Sequence, residues 1–330
     1  MIAFVGGFWF LLQIAHGNMD IVIDFIQYQI RLLTTEDSGH GGFLLYHFVI
    51  LLVGVFPASL FAIMTLFRRN EKSDDSSLIR WMSILFWVVL ILFTIVKTKI
   101  VHYSSLCYFP LSYFAALSVQ KLLGERINWK SGLTAALIFL TFVFSLAIIG
   151  ITYVGKNTEK VLAKVSLDDF TRANLSAKVH WSGLEMLIGV FFILSMVVVT
   201  ILIKRKRNRI IGVFVSSLVF VYLTMIFITP RIEGYTQRAA IEFYKELKDE
   251  KVYLATLGFK SYAHLFYSDL KPYERGQNVT ATWLLEGDID RDAYFVFKIN
   301  RKKRYLEEYP QLIYLYEKNG FVFTKRPKND

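Results

Sequence analysis

Four residues that can bind an anion lie within seven positions of this chain. They are Lys97, Lys99, His102 and Tyr103, in the stretch KTKIVHY. The stretch joins two apolar segments, which predicts a tight turn at a membrane surface. A tight turn requires neither two cations nor an imidazole and a phenol, whereas ammonium, ring N–H and hydroxyl groups all donate hydrogen bonds to phosphate. The stretch therefore predicts a site for an anionic, lipid-linked phosphate.

The composition places these residues in a membrane protein. Hydrophobic residues make up 54% of the 330 residues and charged residues only 20%, more apolar surface than a soluble protein of this length requires. A membrane-spanning helix needs about 20 apolar residues. The segment 2–15 is shorter than this and is interpreted as the tail of a span, so that the chain would begin within a longer membrane protein. Six further segments are long enough, at about 43–67, 78–96, 103–123, 131–154, 183–203 and 210–229.

Lysine and arginine in the connecting segments predict the orientation, because cytoplasmic loops carry the excess of both. The run KRKRNR, starting at Lys204, is the strongest anchor on the inner side. Alternating spans then place residues 16–42, the KTKIVHY turn, residues 155–182 and the carboxy-terminal part outside the cytoplasmic membrane. These anchors account for the net charge of +11, so nucleic-acid binding is not required to explain it.

The predicted fold is an all-α polytopic membrane domain of six to seven spans over residues 1–230, followed by a small soluble α/β domain over residues 231–330. Amphipathic helices occupy the outer loops, the first over residues 19–33. The soluble part alternates helical and strand patterns and shows no Gly-rich phosphate loop, no Ser/His/Asp arrangement and no metal-spaced histidines. The predicted helices are Arg238–Lys248 and Lys260–Tyr267, and the predicted strands are Lys251–Leu257, Tyr294–Ile299 and Phe321–Thr324.

Several motifs resemble a known family in their order and spacing relative to the spans. A GHG turn precedes an aromatic-rich span ending in Gly-x-x-Pro, and a K-x-x-x-Tyr turn follows, with a proline in the next span. The chain resembles the later part of the bacterial aminoarabinose transferase and protein O-mannosyltransferase group, polytopic glycosyltransferases of the C-type fold. LGFKSYAHLFYSDLKPY also resembles the soluble cap of bacterial members. The matching positions are Gly54, Phe56, Pro57, Lys99, His102, Tyr103 and Pro110.

This resemblance implies transfer of a sugar from a polyprenyl-phosphate donor to a lipid, glycan or protein acceptor on the outer side of the inner membrane. The departing phosphate develops negative charge, which fixed cations stabilise best where water is scarce. Lys97 and Lys99 would supply that charge, His102 a donor and Tyr103 a hydroxyl. Arg31 would reach the same phosphate from the amphipathic helix. The alternative for the lysines is that they only anchor span ends at the membrane surface.

The resemblance does not assign the catalytic residues. In the family, the catalytic base is an aspartate in the first outer loop, and this sequence contains no counterpart. Glu36, Asp37 and His40 lie on the outer side and are candidates for an assisting role or for binding a divalent metal, although a solvated loop edge explains them equally well. The cofactor is therefore unknown, and whether the chain is an enzyme on its own stays open.

Two other classes of function compete with a transferase. A transporter or flippase of a polyprenyl-linked sugar would carry charged residues in mid-span and inverted repeats; the spans hold almost no charges, and no self-similar halves are visible. A non-catalytic structural membrane subunit is the third class. The partners expected for the transferase are the polyprenyl-phosphate donor, the acceptor and membrane lipids, without nucleic acid.

Overall fold

The computed structural model describes residues 2–35, 41–67, 76–270 and 280–328. This part of the chain is mostly helical, with a small mixed sheet near the carboxyl end. The strands are β1 (Tyr253–Leu257), β2 (Ala293–Lys298), β3 (Ile313–Lys318) and β4 (Phe321–Arg326). The helices are α1 (Ile2–Ala15), α2 (Met19–Thr34), α3 (Tyr46–Gly54), α4 (Ala58–Leu66), α5 (Ser76–Ile95), α6 (Tyr108–Leu123), α7 (Ser131–Lys156), α8 (Thr158–Leu162), α9 (Asp169–Leu175), α10 (Met186–Val197), α11 (Lys206–Phe227), α12 (Thr229–Thr236), α13 (Arg238–Glu246), α14 (Ala263–Tyr267), α15 (Ala281–Glu286) and α16 (Lys302–Glu308).

The chain is a multi-pass membrane protein with several long apolar helices. Within the described ranges, four helical segments are long and apolar enough to cross a membrane, and a bent pair would make five. The predicted six to seven spans are not confirmed. The segment predicted at 183–203 forms the shorter apolar helix Met186–Leu202, which ends in a π-helical turn. The four segments are Ser77–Ile95, Val101–Leu123, Ser131–Lys156 and Lys206–Thr236.

The bent pair replaces the straight span predicted at 43–67. The chain changes direction by 118° between α3 and α4, and Pro57 lies immediately before α4. Proline has no backbone N–H and clashes with the preceding turn, so a helix does not pass through it unbent. The hydroxyl of Ser59 donates to the carbonyl of Leu52 at 2.6 Å, which satisfies one carbonyl freed by the break.

Contacts divide the chain into two compact units. The first comprises Met1–Val143 and Ile193–Leu218, and the second Phe144–Phe192 and Val219–Asp330. The division passes through α7, α10 and α11. The separate soluble domain over residues 231–330 therefore stays a prediction.

The second unit contains a four-stranded sheet of order β1-β2-β4-β3. Strands β1 and β2 are parallel, and the other two pairings are antiparallel. Asn319 and Gly320 both have positive φ in the β3–β4 connection, as a tight two-residue hairpin requires. One core cluster includes Phe295 and Phe297, and a second includes Val296, Phe243 and Phe323, so that both faces of β2 are covered.

A buried ion pair connects α12 to the residues before α10. Arg231 Nη2 lies 2.7 Å from Glu185 Oε1, and the Glu185 side chain is only 4% exposed. The same carboxylate accepts hydrogen bonds from the Ser182 hydroxyl at 3.0 Å and the Gly183 amide at 2.8 Å. Arg231 Nε also donates to the His180 carbonyl at 3.1 Å. Every oxygen of the buried carboxylate is thus hydrogen-bonded, which is the condition under which a buried charge is tolerated.

Candidate functional site

The KTK stretch is attached to the carboxyl end of the amphipathic helix. The backbone N–H of Lys97 donates to the Leu33 carbonyl and that of Thr98 to the Leu32 carbonyl, both at 3.3 Å. The Thr98 hydroxyl donates to the Thr35 carbonyl at 2.9 Å. The last carbonyls of a helix have no partner within the helix, and here the turn supplies donors to them. The two segments, more than 60 residues apart in sequence, therefore form one local structure.

Lys99 is buried and folded back on its own span. The residue is only 5% exposed. Its Nζ donates hydrogen bonds to the carbonyls of Phe93 at 3.0 Å and Thr94 at 2.7 Å. Both carbonyls lie at the carboxyl end of α5, where a cation is favoured by the helix dipole. Burial lowers the pKa of the Lys99 ammonium. Among the described residues, two of its three N–H groups have an acceptor, and we take the third as the group that would contact a ligand.

An open cavity of about 440 Å³ adjoins both lysines. Lys97 is an exposed residue that lines it. The hydroxyls of Thr34 and Thr35 donate to the helix carbonyls of Ile30 and Arg31, so at the cavity their oxygens can accept but not donate. Positive charge at this cavity therefore comes from the lysines. The lining residues are Thr34, Thr35, Gly42, Leu44, Thr94, Ile95, Val96, Lys97 and Lys99.

The other predicted phosphate ligands do not line this cavity. Arg31 lies on α2 with its guanidinium 5.0 Å from the centre of the Tyr28 ring. His102 is exposed and contacts Tyr103 ring to ring at 5.4 Å. Tyr103 in turn packs on Phe93 at 5.2 Å. The structure thus brings Lys97 and Lys99 together and gives Tyr103 a packing role at the end of α5.

Three further candidates lie outside the described residues, namely Glu36, Asp37 and His40. Within the described ranges, no group of three or more His, Cys, Asp or Glu side chains is arranged to hold a metal ion. The cofactor and the catalytic residues stay unassigned.

An apolar pocket of about 200 Å³ has lining residues on α5, as the polar cavity does. Trp87 lines the apolar pocket and Thr94 the polar cavity; they are seven residues apart, hence on one face of α5. Leu90 and Thr94 are one turn apart, about 6 Å along the axis. The pocket is lined by Phe48, Leu51, Leu52, Ser59, Ile63, Leu66, Phe67, Phe86, Trp87, Leu90 and Leu111.

His47 is a residue of this region that the sequence reasoning missed. It lies in α3, is completely buried, and its Nδ1 is 3.1 Å from the Ser104 hydroxyl. An ionisable residue within an apolar span is by default a candidate for function, and that signal was present in YHFVILL.

The comparisons with known proteins support the fold resemblance. No protein-family model and no curated protein sequence match the chain. Two solved structures match, both of ArnT from Cupriavidus metallidurans. The one bound to undecaprenyl phosphate has a TM-score of 0.54 and 13% identity, over 96% of this chain and 57% of the ArnT chain. The apo structure has a TM-score of 0.50 and 14% identity, over 97% and 61%. This chain thus spans about three-fifths of the length of the ArnT chains and resembles them in fold.

Proposed function

We propose that this protein binds a polyprenyl-phosphate sugar at the outer surface of the inner membrane and takes part in transferring the sugar to a lipid, glycan or protein acceptor. The observation that carries the proposal is the order of the two cavities along the axis of α5. A cavity with two lysines lies about one helical turn from an apolar pocket, on the same helix face. An anionic head group with an isoprenoid tail has this order of charge and apolar surface.

The two lysines have different parts in this proposal. Lys97 is exposed and supplies an ammonium that has no side-chain partner among the described residues, whereas Lys99 supplies a fixed charge that the α5 carbonyls hold in place. A preorganised cation costs little reorganisation when charge develops on the departing phosphate. The resemblance in fold to ArnT, crystallised with undecaprenyl phosphate, supports the same ligand class.

Direct binding tests the proposal. The full chain in lipid nanodiscs is expected to bind undecaprenyl phosphate about a hundredfold more tightly than undecaprenol, because two charge-assisted hydrogen bonds contribute about 1.5 kcal/mol or more each. The two ligands share the tail and differ in the phosphate. Equal affinities would show that the lysines do not hold the head group, and the proposal would be withdrawn.

The outer placement of the site has its own test. A reporter fused after Asp330 is expected to be active outside the cytoplasm, and one fused at Lys206 inside it, because the Lys and Arg excess lies on the KRKRNR side. Paired reporters that require oxidising and reducing compartments check each fusion. A cytoplasmic carboxyl terminus would move the Lys97 cavity to the inner surface.

A further inference from the structure

His47 connects α3 to the 3₁₀ segment that follows Lys99, two segments adjoining in sequence the residues Leu44 and Lys99 that line the polar cavity. It is on α3, and its Nδ1 contacts the hydroxyl of Ser104 at 3.1 Å, in the 3₁₀ segment Val101–Cys107. Both residues are completely buried. In an apolar surrounding a lost hydrogen bond leaves an unsatisfied polar group, whose desolvation is costly. The contact therefore fixes the 3₁₀ segment relative to α3.

The hydrogen-bond partners of Ser104 are the basis on which we assign the ring proton of His47. Ser104 has one hydroxyl proton, and the Val101 carbonyl at 3.4 Å is an acceptor for it. With the proton assigned to that carbonyl, Nδ1 is the donor to Ser104 Oγ, since a neutral imidazole carries one N–H. Nε2 is left as an unprotonated nitrogen, with no hydrogen-bond partner among the described residues.

The same ring also contacts the residue that holds Lys99. The ring centres of His47 and Phe93 are 6.0 Å apart, and the Phe93 carbonyl accepts a hydrogen bond from Lys99 Nζ. The Phe93 ring also packs on the ring of Tyr103, which lies in the 3₁₀ segment. The imidazole is thus in contact with both the end of α5 and the 3₁₀ segment.

We infer that His47 is a positioning residue for the polar cavity, which it serves without touching the ligand. Its Nδ1–H holds Ser104 and its ring supports Phe93, so that Lys99 and the turn keep their mutual placement. This inference rests on the proposed binding of a polyprenyl phosphate at the cavity. It assigns a role to a residue whose chemistry the proposed function does not use directly.

Five variants of the full chain in nanodiscs test it, with undecaprenyl phosphate as the ligand. His47→Phe and Ser104→Ala should each weaken binding about threefold to tenfold, as expected for one neutral hydrogen bond, and the double variant should bind no more weakly than either. His47→Asn should keep near wild-type affinity, because its amide N–H can occupy the position of Nδ1–H. His47→Gln, whose amide lies nearer the position of Nε2, should not.

A second measurement follows the segment itself. Cys107, the chain's single cysteine, is completely buried at the end of the 3₁₀ segment. Its alkylation by a membrane-permeant maleimide should accelerate in His47→Phe and Ser104→Ala, and stay at the wild-type rate in His47→Asn. Ser105→Ala, the exposed neighbour, is the matched control and should change neither affinity nor alkylation.

The outcomes separate this inference from the proposed function. If the unaltered chain does not prefer undecaprenyl phosphate to undecaprenol, both fail. If it does, but His47→Phe and Ser104→Ala bind as the unaltered chain does, only the positioning role of His47 is overturned. The same conclusion follows if His47→Asn is as weak as His47→Phe while Ser104→Ala is normal, because the hydrogen bond from Nδ1 to Ser104 would then contribute nothing to binding. Should His47→Phe not insert, Ser104→Ala and His47→Asn decide.

Discussion

Lys97→Ala is expected to weaken binding of undecaprenyl phosphate about tenfold to a hundredfold without changing membrane insertion. A hydrogen bond from a charged group to phosphate contributes about 1.5–3 kcal/mol, and each 1.4 kcal/mol is about tenfold in affinity. The Lys97 side chain lines the cavity and is exposed. No side-chain hydrogen bond or ion pair of Lys97 occurs within the described ranges, so its removal leaves the surrounding structure intact. Calorimetry or native mass spectrometry in nanodiscs measures the affinity.

Lys99 requires a different substitution from Lys97. Its ammonium caps the end of α5, and its side-chain stem packs closely against Gly42. Alanine at position 99 would therefore remove packing as well as charge. Lys99→Met keeps most of the stem. It should weaken binding at least as much as Lys97→Ala and also lower thermal stability, because the two helix-end carbonyls lose their donor.

The control for both variants is Lys160→Ala, which replaces an exposed lysine of α8 that does not line the cavity. It should bind undecaprenyl phosphate as the unaltered chain does. Normal affinity in both Lys97→Ala and Lys99→Met, or lost insertion in Lys97→Ala, would identify the lysines as membrane-surface anchors.

The elements that sequence predicted well are those whose pattern is local. The amphipathic helix predicted over residues 19–33 is α2, the helix predicted from Arg238 is α13, and the apolar run YFVFKI is β2. Length and periodicity define each of them. Strand β3 was missed because it is exposed on both faces, so that no alternation marks it, although Asn319-Gly320 was a hairpin signal.

The features that sequence could not supply depend on how individual side chains are placed in the folded chain. Lys97 and Lys99 are two residues apart and chemically identical, yet one is exposed and the other is buried on the α5 carbonyls. Residue type does not distinguish them; the direction of α5 does. The bend at Pro57 was available from sequence, since proline interrupts a helix, but apolar composition alone indicated one span.

Arg231→Met is expected to destabilise the second unit by about 3–5 kcal/mol, the cost of leaving a buried charge without its partner. The Glu185 carboxylate is 4% exposed and would keep only its Ser182 and Gly183 donors. For a unit of this size the loss corresponds to a fall in Tm of about 6–20 °C. Thermal unfolding in detergent, followed by tryptophan fluorescence, measures it, because the Trp181 ring lies 5.6 Å from the Arg231 guanidinium.

The pH dependence distinguishes this electrostatic effect from lost packing. Burial alone would raise the pKa of Glu185, but hydrogen bonds from its own backbone, Ser182 and Gly183, together with the Arg231 charge, lower it below its ordinary value. Since the folded-state pKa lies below the unfolded one, the stabilisation is complete above the unfolded pKa and is lost as the pH falls through the folded pKa. Without Arg231 the carboxyl becomes easier to protonate, so the deficit of Arg231→Met should shrink in acid.

Two comparisons complete the test. Arg304→Met removes one partner of an ion pair on α16 whose side chains are 68% and 42% exposed, and it should change stability by about 1 kcal/mol or less. Adding Glu185→Gln to Arg231→Met should recover part of the loss, because no buried charge then remains unpaired. Should Arg231→Met be no more destabilising than Arg304→Met, or its deficit be independent of pH, the ion pair is not what holds α12 to the segment before α10.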